Sequence, residues 1–138
     1  MAIDSQSIES KLDKLEEINK YLRKYQEISQ DDFSVDFTVN AAAMHYIVQG
    51  IEIVMDIGNH LLKEKYHVNS KNYREIIENL GEYEIIPEEL AQENVDMAGF
   101  RNVVIHDYED INMNRVYETL QRAPEVFEEF SEHYSKFL

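Results

Sequence analysis

The sequence predicts an all-α protein, and three observations support this fold class. The 138 residues include only four Gly and two Pro, so few positions interrupt a helix. Apolar residues recur three and four positions apart along most of the chain, which is the period of a helix with one buried face. Strict apolar–polar alternation, which indicates strands, is scarce. We therefore expect a single domain, residues 1–138, built as an antiparallel bundle of four to five helices with short connections.

Composition limits the function classes. The net charge of −15 argues against nonspecific nucleic-acid binding through a broad basic face, but it leaves room for a local positive cleft. The absence of Cys excludes disulfides and thiolate metal sites, and it is compatible with the cytoplasmic location that we expect. The first residues lack the basic start and apolar run of a secretion signal. No apolar run approaches the roughly 18 residues of a membrane span.

The first two predicted helices differ in their apolar surface. The first runs from Ser7 to Ile28 with one apolar stripe, and a polar break at Ser29–Asp32 follows it. The second runs from Ser34 to Lys65 and is apolar nearly all round; its inward set includes Phe37, Met44, Ile47, Ile51, Met55 and Ile57. Such a helix must be covered on several sides. We expect a central helix that also meets a second subunit; a central helix fully buried within a monomer is the alternative.

Capping residues delimit the third helix. Asn69 or Ser70 is the expected N-cap, and Gly81 is the expected C-cap glycine. Proline and capping residues delimit the other two. Pro87 suits the first turn of a fourth helix that reaches His106 and directs Leu90, Met97, Phe100, Val103 and Val104 into the core. A fifth helix should follow a cap at Asp110 or Asn112, with Pro124 kinking or splitting it.

One segment of the predicted fourth helix concentrates residues that can carry chemistry. Arg, Asn, His, Asp and Tyr occur between Arg101 and Tyr108. Arginine offers a fixed cation for phosphate, and histidine titrates near neutral pH and can move protons. Phosphodiester cleavage without a metal needs a base for the ribose 2′-hydroxyl, a cation for the pentacoordinate phosphorus and an acid for the leaving oxygen. The segment contains these groups.

Helix geometry does not bring all of these groups together within one chain. Arg101 and His106 are five residues apart, roughly 140° around a helix, whereas Asn102 and His106 share a face. Arg101 and Tyr108 would lie nearly in line if the helix continued. Two copies of the helix meeting across a dimer interface would complete a site. The alternative from spacing alone is a structural one, in which the arginine at the helix end pairs with a histidine at the edge of the core.

The run Gly99–Tyr108, followed by Ile111, resembles the signature of the HEPN superfamily. Its Arg-x4-His-x-Tyr form is similar to the HepT-like branch. Ala41–Leu62 and Ser70–Glu75 also look like that branch. The resemblance extends from about Asp31 to the C-terminus, whereas the first helix is generic.

The resemblance implies both a fold and an activity. Proteins of this branch are homodimeric, metal-independent endoribonucleases with an HEPN-like fold, and they act as toxins of type VII-like toxin–antitoxin pairs. Their antitoxin is a minimal nucleotidyltransferase that silences the toxin by adding AMP to the motif tyrosine. By resemblance, Arg101 and His106 would be catalytic, Asn102 would position the RNA and Tyr108 would be the AMPylation site. No cofactor is implied.

Two aspartates are candidates for supporting roles around this site, namely Asp56 and Asp107. Asp56 is also four residues before His60, a spacing that suits a metal pair, but the sequence offers no third ligand at suitable spacing, so we expect no metal. Two other function classes remain open. One is a non-catalytic HEPN module that binds a nucleotidyltransferase, which the acidic charge favours slightly. The other is a structural dimerisation domain.

Overall fold

The computed structural model describes residues 3–138, and these residues are helical without any strand. The elements are α1 (Ser5–Gln26), α2 (Gln30–Val35), α3 (Phe37–Tyr66), α4 (Tyr73–Glu82), α5 (Glu88–Asn94), α6 (Met97–His106), a 3-10 turn (Tyr108–Asp110) and α7 (Met113–Ser135). The predicted all-α class is therefore confirmed. Within residues 3–138, no helix combines the length and apolarity that crossing a membrane requires.

The long helix α3 is the centre of the fold, as its wide apolar surface predicted. It packs against α1, α7, α4 and α6. Its buried side chains include Met44, Ile47, Ile51, Val54, Met55, Ile57, Leu61 and Leu62. Gly50 allows α7 to approach closely, because a methyl group at this position would overlap the ring of Phe127. The second subunit expected beside this helix remains a prediction.

Two consecutive caps change the start of the predicted second helix. Ser29 caps the short helix α2 by accepting from the Asp32 N–H at 3.2 Å, so the polar segment from Ser29 to Asp32 is largely helical and not a break. Asp36 then ends α2 and caps α3, where its side chain accepts from the Val39 N–H at 3.1 Å. The prediction that Phe37 faces the core was wrong: it is the first residue of α3 and is 77% exposed.

The predicted caps of the third helix were also wrong. The N-cap of α4 is Asn72, whose Oδ1 accepts from the Glu75 N–H at 2.9 Å. Gly81 lies inside the last turn of α4, and Glu84 takes the left-handed φ of 59° beyond it. The glycine serves packing instead, because a Cβ there would lie 2.7 Å from the Cβ of Ala91 on α5.

The predicted fourth helix is divided into α5 and α6 at Val95 and Asp96. Pro87 is the N-cap residue of α5 and so precedes its first turn. Near the break, the buried Asn94 donates from Nδ2 to the Leu90 carbonyl at 2.9 Å. Asparagine side chains that bond nearby backbone in this way compete with helix continuation. The residues of the Arg-x4-His segment therefore stand on a separate helix, α6.

Helix α7 is continuous through Pro124, so of the two predicted outcomes, a kink or a split, the split is excluded. Asn112, one of the two expected caps, accepts from the Asn114 N–H at 2.8 Å. Proline has no N–H for the carbonyl four residues earlier. In this helix that carbonyl belongs to Leu120, and Gln26 of α1 donates to it from Nε2 at 3.1 Å. A side chain of a neighbouring helix thus replaces the missing donor.

Candidate functional site

The second half of α6 is only partly covered by the rest of the bundle. Phe100 is the one fully buried side chain of this helix. Val103 and Val104 are partly buried, whereas Asn102, Ile105 and His106 are exposed. The prediction that four apolar residues of this segment enter the core therefore holds fully for Phe100 alone, and Met97 and Val104 pack only at its margin.

Arg101 of α6 is held by contacts with α3 and α4. Its Nε donates to Oε1 of Glu52 on α3 at 3.1 Å. Its guanidinium lies over the ring of Tyr73 on α4, 5.1 Å from the ring centroid. A longer contact of 3.4 Å joins its Nη1 to Oδ1 of the neighbouring Asn102. The side chain is 26% exposed, so a fixed cation is still open to solvent.

His106 stands at the end of α6, one turn beyond Asn102, and both side chains are exposed. The structural alternative, in which Arg101 pairs with a histidine at the edge of the core, does not match this arrangement. The ionic partner of Arg101 is Glu52. The imidazole of His106 is instead free to meet solvent or a ligand.

The helix ends at His106, so Tyr108 does not continue the line of Arg101. Asp107 turns the chain: its N–H donates to the Val103 carbonyl at 2.9 Å, and its own carbonyl accepts from the Asp110 N–H at 2.9 Å. Tyr108 begins the 3-10 turn and is 50% exposed. The carboxylate of Asp107 is exposed, and the contacts observed for this residue are made by its backbone.

Sequence reasoning selected Asp56 on α3 but missed Glu52, which lies one helical turn earlier and contacts Arg101. Asp56 is exposed, but its charge lies close enough to Tyr73 to help raise the pKa of the phenol. Burial raises the pKa of the Tyr73 phenol; Arg101 opposes this increase, and Glu52 and Asp56 add to it. Tyr73, the other residue that contacts Arg101, was also missed. Both lie in segments that resemble the family: Glu52 in Ala41–Leu62 and Tyr73 in Ser70–Glu75. A four-residue spacing marks Glu52 and Asp56 as one face of α3, but it does not indicate which carboxylate reaches the arginine.

The other candidate metal residue has a structural contact. His60 accepts the Asp4 N–H at Nε2, 3.0 Å away, and so helps to hold the start of α1. Residues 3–138 bring no three His, Asp or Glu side chains together in a metal-binding arrangement. A groove of about 760 Å³ runs between α6 and α7, lined by residues such as Phe100 and Arg115; Arg101, Asn102 and His106 are absent from its lining. The candidate site is thus an open surface at the end of α6.

Comparisons with known proteins agree with the motif. The family model described as Ribonuclease HepT-like matches residues 10–134. The tRNA nuclease HepT of Aphanizomenon flos-aquae is 31% identical over 117 residues, covering 84% of this chain and 79% of that protein. The mRNA nuclease HepT of Shewanella oneidensis is 26% identical over 121 residues, covering 86% of this chain and 91% of that protein.

The fold has close counterparts among solved structures. One is described as a tri-AMPylated HEPN toxin of Shewanella oneidensis in complex with MNT antitoxin. It matches with a TM-score of 0.85 at 23% identity, over 94% of this chain and 96% of that chain. At this identity the likeness establishes the fold. Since the family match extends over almost the whole chain, residues 10–134, this protein belongs to the Ribonuclease HepT-like family.

Proposed function

We propose that this chain is a metal-independent RNA endonuclease, the toxin of a type VII-like toxin–antitoxin pair, and that it acts in the cytoplasm. The observation that carries the proposal is the arrangement on α6: Arg101 is fixed as a cation, and His106 is exposed near the end of the same helix. Family membership and the names of the relatives, a tRNA nuclease and an mRNA nuclease, favour RNA as the substrate.

The proposed chemistry uses the ribose 2′-hydroxyl as the nucleophile. His106 accepts its proton, the oxygen attacks the adjacent phosphorus, and Arg101 stabilises the charge on the phosphoryl oxygens. A second, protonated imidazole, that of His106 in another copy of the chain, donates a proton to the 5′-oxygen as the phosphorus–oxygen bond breaks. Asn102, exposed one turn before His106, offers an amide for hydrogen bonding to the RNA.

A second copy of the chain would complete this site. One chain supplies one His106, whereas the reaction uses a base and an acid. The apolar residues exposed on α6 support this arrangement, since Ile105 is 45% exposed and Val103 is only partly buried. Apolar groups clustered on a surface commonly mark a protein interface. We therefore retain the homodimer, with a cleft in which two α6 helices converge, as part of the proposal.

Tyr108 is the proposed regulatory residue. Its phenol is half-exposed in the turn that follows α6, which leaves the hydroxyl accessible to a modifying enzyme. The partner would be a cognate minimal nucleotidyltransferase, in keeping with the similar toxin that is described as tri-AMPylated and bound to MNT antitoxin. AMP on Tyr108 would add negative charge and bulk close to the motif, and both oppose binding of an RNA phosphate.

Cleavage of RNA by the purified protein in the presence of EDTA tests the catalytic proposal. Wild type should cut, whereas Arg101→Ala and His106→Ala should lose most of the activity. His133→Ala, a histidine on α7 outside the motif, is the matched control and should cut like wild type. Equal inactivity of all four proteins would instead favour the non-catalytic module that binds a nucleotidyltransferase, the class that the net charge of −15 suits better.

Mass spectrometry after coexpression with the nucleotidyltransferase tests the regulatory proposal. The intact mass of wild type should rise in steps of one AMP, and the mass of Tyr108→Phe should not. A rise that persists in Tyr108→Phe would place the modification elsewhere. Tyr83, the C-cap residue of α4, is 37% exposed, compared with 50% for Tyr108. The variant Tyr83→Phe is therefore the matched control, and it should still be modified.

A further inference from the structure

We infer that Glu52 on α3 and Tyr73 on α4 are positioning residues, which fix the guanidinium of Arg101 for phosphate binding. The inference rests on the proposed ribonuclease function and deepens it. Both residues lie outside the Arg-x4-His-x-Tyr motif, and both contact Arg101 directly. They come from two different helices, so they tie the orientation of the motif arginine to the body of the fold.

Glu52 contacts the part of Arg101 that a phosphate does not need. Its Oε1 accepts from Nε, the innermost nitrogen of the guanidinium, at 3.1 Å. Of the two terminal amino groups, Nη1 makes only the longer 3.4 Å contact to Asn102, so the pair can still donate to a phosphate, which guanidinium groups bind through paired donors. A free arginine side chain has about 2 kcal/mol of rotamer entropy to lose when it is ordered. Glu52 imposes that order before RNA arrives.

Tyr73 supports the flat face of the same guanidinium. The ring centroid is 5.1 Å from the Arg101 Cζ, within the range of a cation–π interaction. Burial is the main reason that the pKa of the Tyr73 phenol is raised, so the phenol stays neutral near pH 7 and presents its ring, not a charge, to the arginine. The ring and the carboxylate thus hold two different sides of one cation.

Stability does not account for the Glu52–Arg101 pair. Its side chains are 41% and 26% exposed, and ion pairs at such solvent-accessible positions contribute only about 0–1 kcal/mol. Electrostatic attraction of RNA does not account for it either, because a carboxylate beside a phosphate site repels the ligand. Orientation of Arg101 is the role that fits both the contact and its charge.

Steady-state cleavage of a short RNA separates these roles. Glu52→Ala removes the acceptor, and its kcat should fall about 10- to 100-fold, the usual effect of a misplaced catalytic group. Glu52→Gln keeps an oxygen acceptor and removes the charge, so it should keep kcat within about threefold of wild type and lower KM. Glu128→Ala breaks another inter-helix ion pair, with Arg23, and should leave both constants unchanged.

The aromatic contact has its own pair of variants. Tyr73→Phe keeps the ring and should cut like wild type, whereas Tyr73→Leu should lower kcat about two- to fivefold, the equivalent of a partly exposed cation–π contact. Wild-type kcat in Glu52→Ala would overturn the role of Glu52. Equal losses in Glu52→Ala and Glu52→Gln would also overturn it, because the acceptor would then not matter. Equal activities of Tyr73→Phe and Tyr73→Leu would overturn the role of Tyr73.

A measurement without RNA separates this inference from the proposed function. The Nε–H resonance of Arg101 should be visible and slow to exchange in wild type and Glu52→Gln, and it should be lost in Glu52→Ala. If wild type cuts no RNA, the proposed function fails, and this resonance still reports whether Glu52 orders the arginine. The same resonance in all three proteins would overturn the positioning role.

Discussion

Helices α7 and α6 carry apolar residues at similar spacing but use them differently. Helix α7 buries one face along its whole length; the buried residues include Val116, Leu120, Phe127, Phe130 and Tyr134. Helix α6 fully buries Phe100 alone and leaves Ile105 45% exposed. Apolar periodicity thus indicates which residues tend to be buried, but it does not indicate whether residues of the same chain bury them.

The polar groups of the two helices differ in the same sense. On α7, the buried hydroxyl of Tyr134 donates to the Val54 carbonyl at 2.8 Å, and Gln26 satisfies the Leu120 carbonyl. On α6, Asn102 and His106 face outward. We infer that stability resides mainly in α1, α3 and α7, and that the proposed chemistry resides at the end of α6. Substitutions at the end of α6 should therefore lower activity without lowering stability, and substitutions in the α7 core should lower stability without lowering the activity of the folded protein.

The largest expected effect is on activity, from His106→Ala. Loss of a general acid–base group lowers the cleavage rate by about 10²- to 10⁴-fold. The free energy of unfolding should stay within about 0.5 kcal/mol of wild type, because the side chain is exposed. RNA cleavage and chemical denaturation, measured on the same preparation, check both statements. A large loss of stability would show that the end of α6 belongs to the folding core and would remove the contrast.

Phe127→Ala should show the reverse. The ring is 1% exposed and lies against Gly50 of α3, so its removal leaves a cavity between α3 and α7. We expect the free energy of unfolding to fall by about 3–5 kcal/mol. At a temperature where the variant is still folded, its cleavage rate per folded molecule should be near that of wild type. A loss below about 1 kcal/mol would contradict the assignment of stability to this contact.

Ile105→Ser tests whether a second copy covers α6. Burying an isoleucine contributes about 1.5–3 kcal/mol, so the dimer dissociation constant should rise about 10- to 100-fold. Sedimentation at several concentrations measures it. Val35→Ser replaces an apolar residue that is 73% exposed on α2, and as a control it should leave association unchanged. Equal behaviour of the two variants would exclude Ile105 from the interface.

Gln26→Leu should give the smallest effect. It removes the side-chain donor to the Leu120 carbonyl, which Pro124 deprives of its helical partner. We expect a loss of about 1 kcal/mol in the free energy of unfolding, measured by urea denaturation. Gln92→Leu removes only an exposed hydrogen bond within α5, to Glu88, and should change stability by less. The same small loss in both variants would mean that the Gln26 hydrogen bond to the Leu120 carbonyl stabilises the protein no more than an exposed hydrogen bond does.

The candidate site was predictable only in part. The types and spacing of Arg101, Asn102, His106 and Tyr108 pointed to this segment because these residues are adjacent in sequence. Glu52 and Tyr73 were not predictable, because they lie 49 and 28 residues from Arg101 and meet it only through packing of α3 and α4 against α6.

Local sequence determined the helical class and the order of the main elements. Periodic apolar positions and scarce Gly and Pro act over a few residues, and neighbours along the chain are sufficient to specify a helix. Tertiary structure decided the rest. It kept α7 whole through Pro124, because Gln26 comes from another helix. It also exposed the end of α6 and fixed Arg101 on Glu52, since burial and ion pairing depend on residues that only folding brings together.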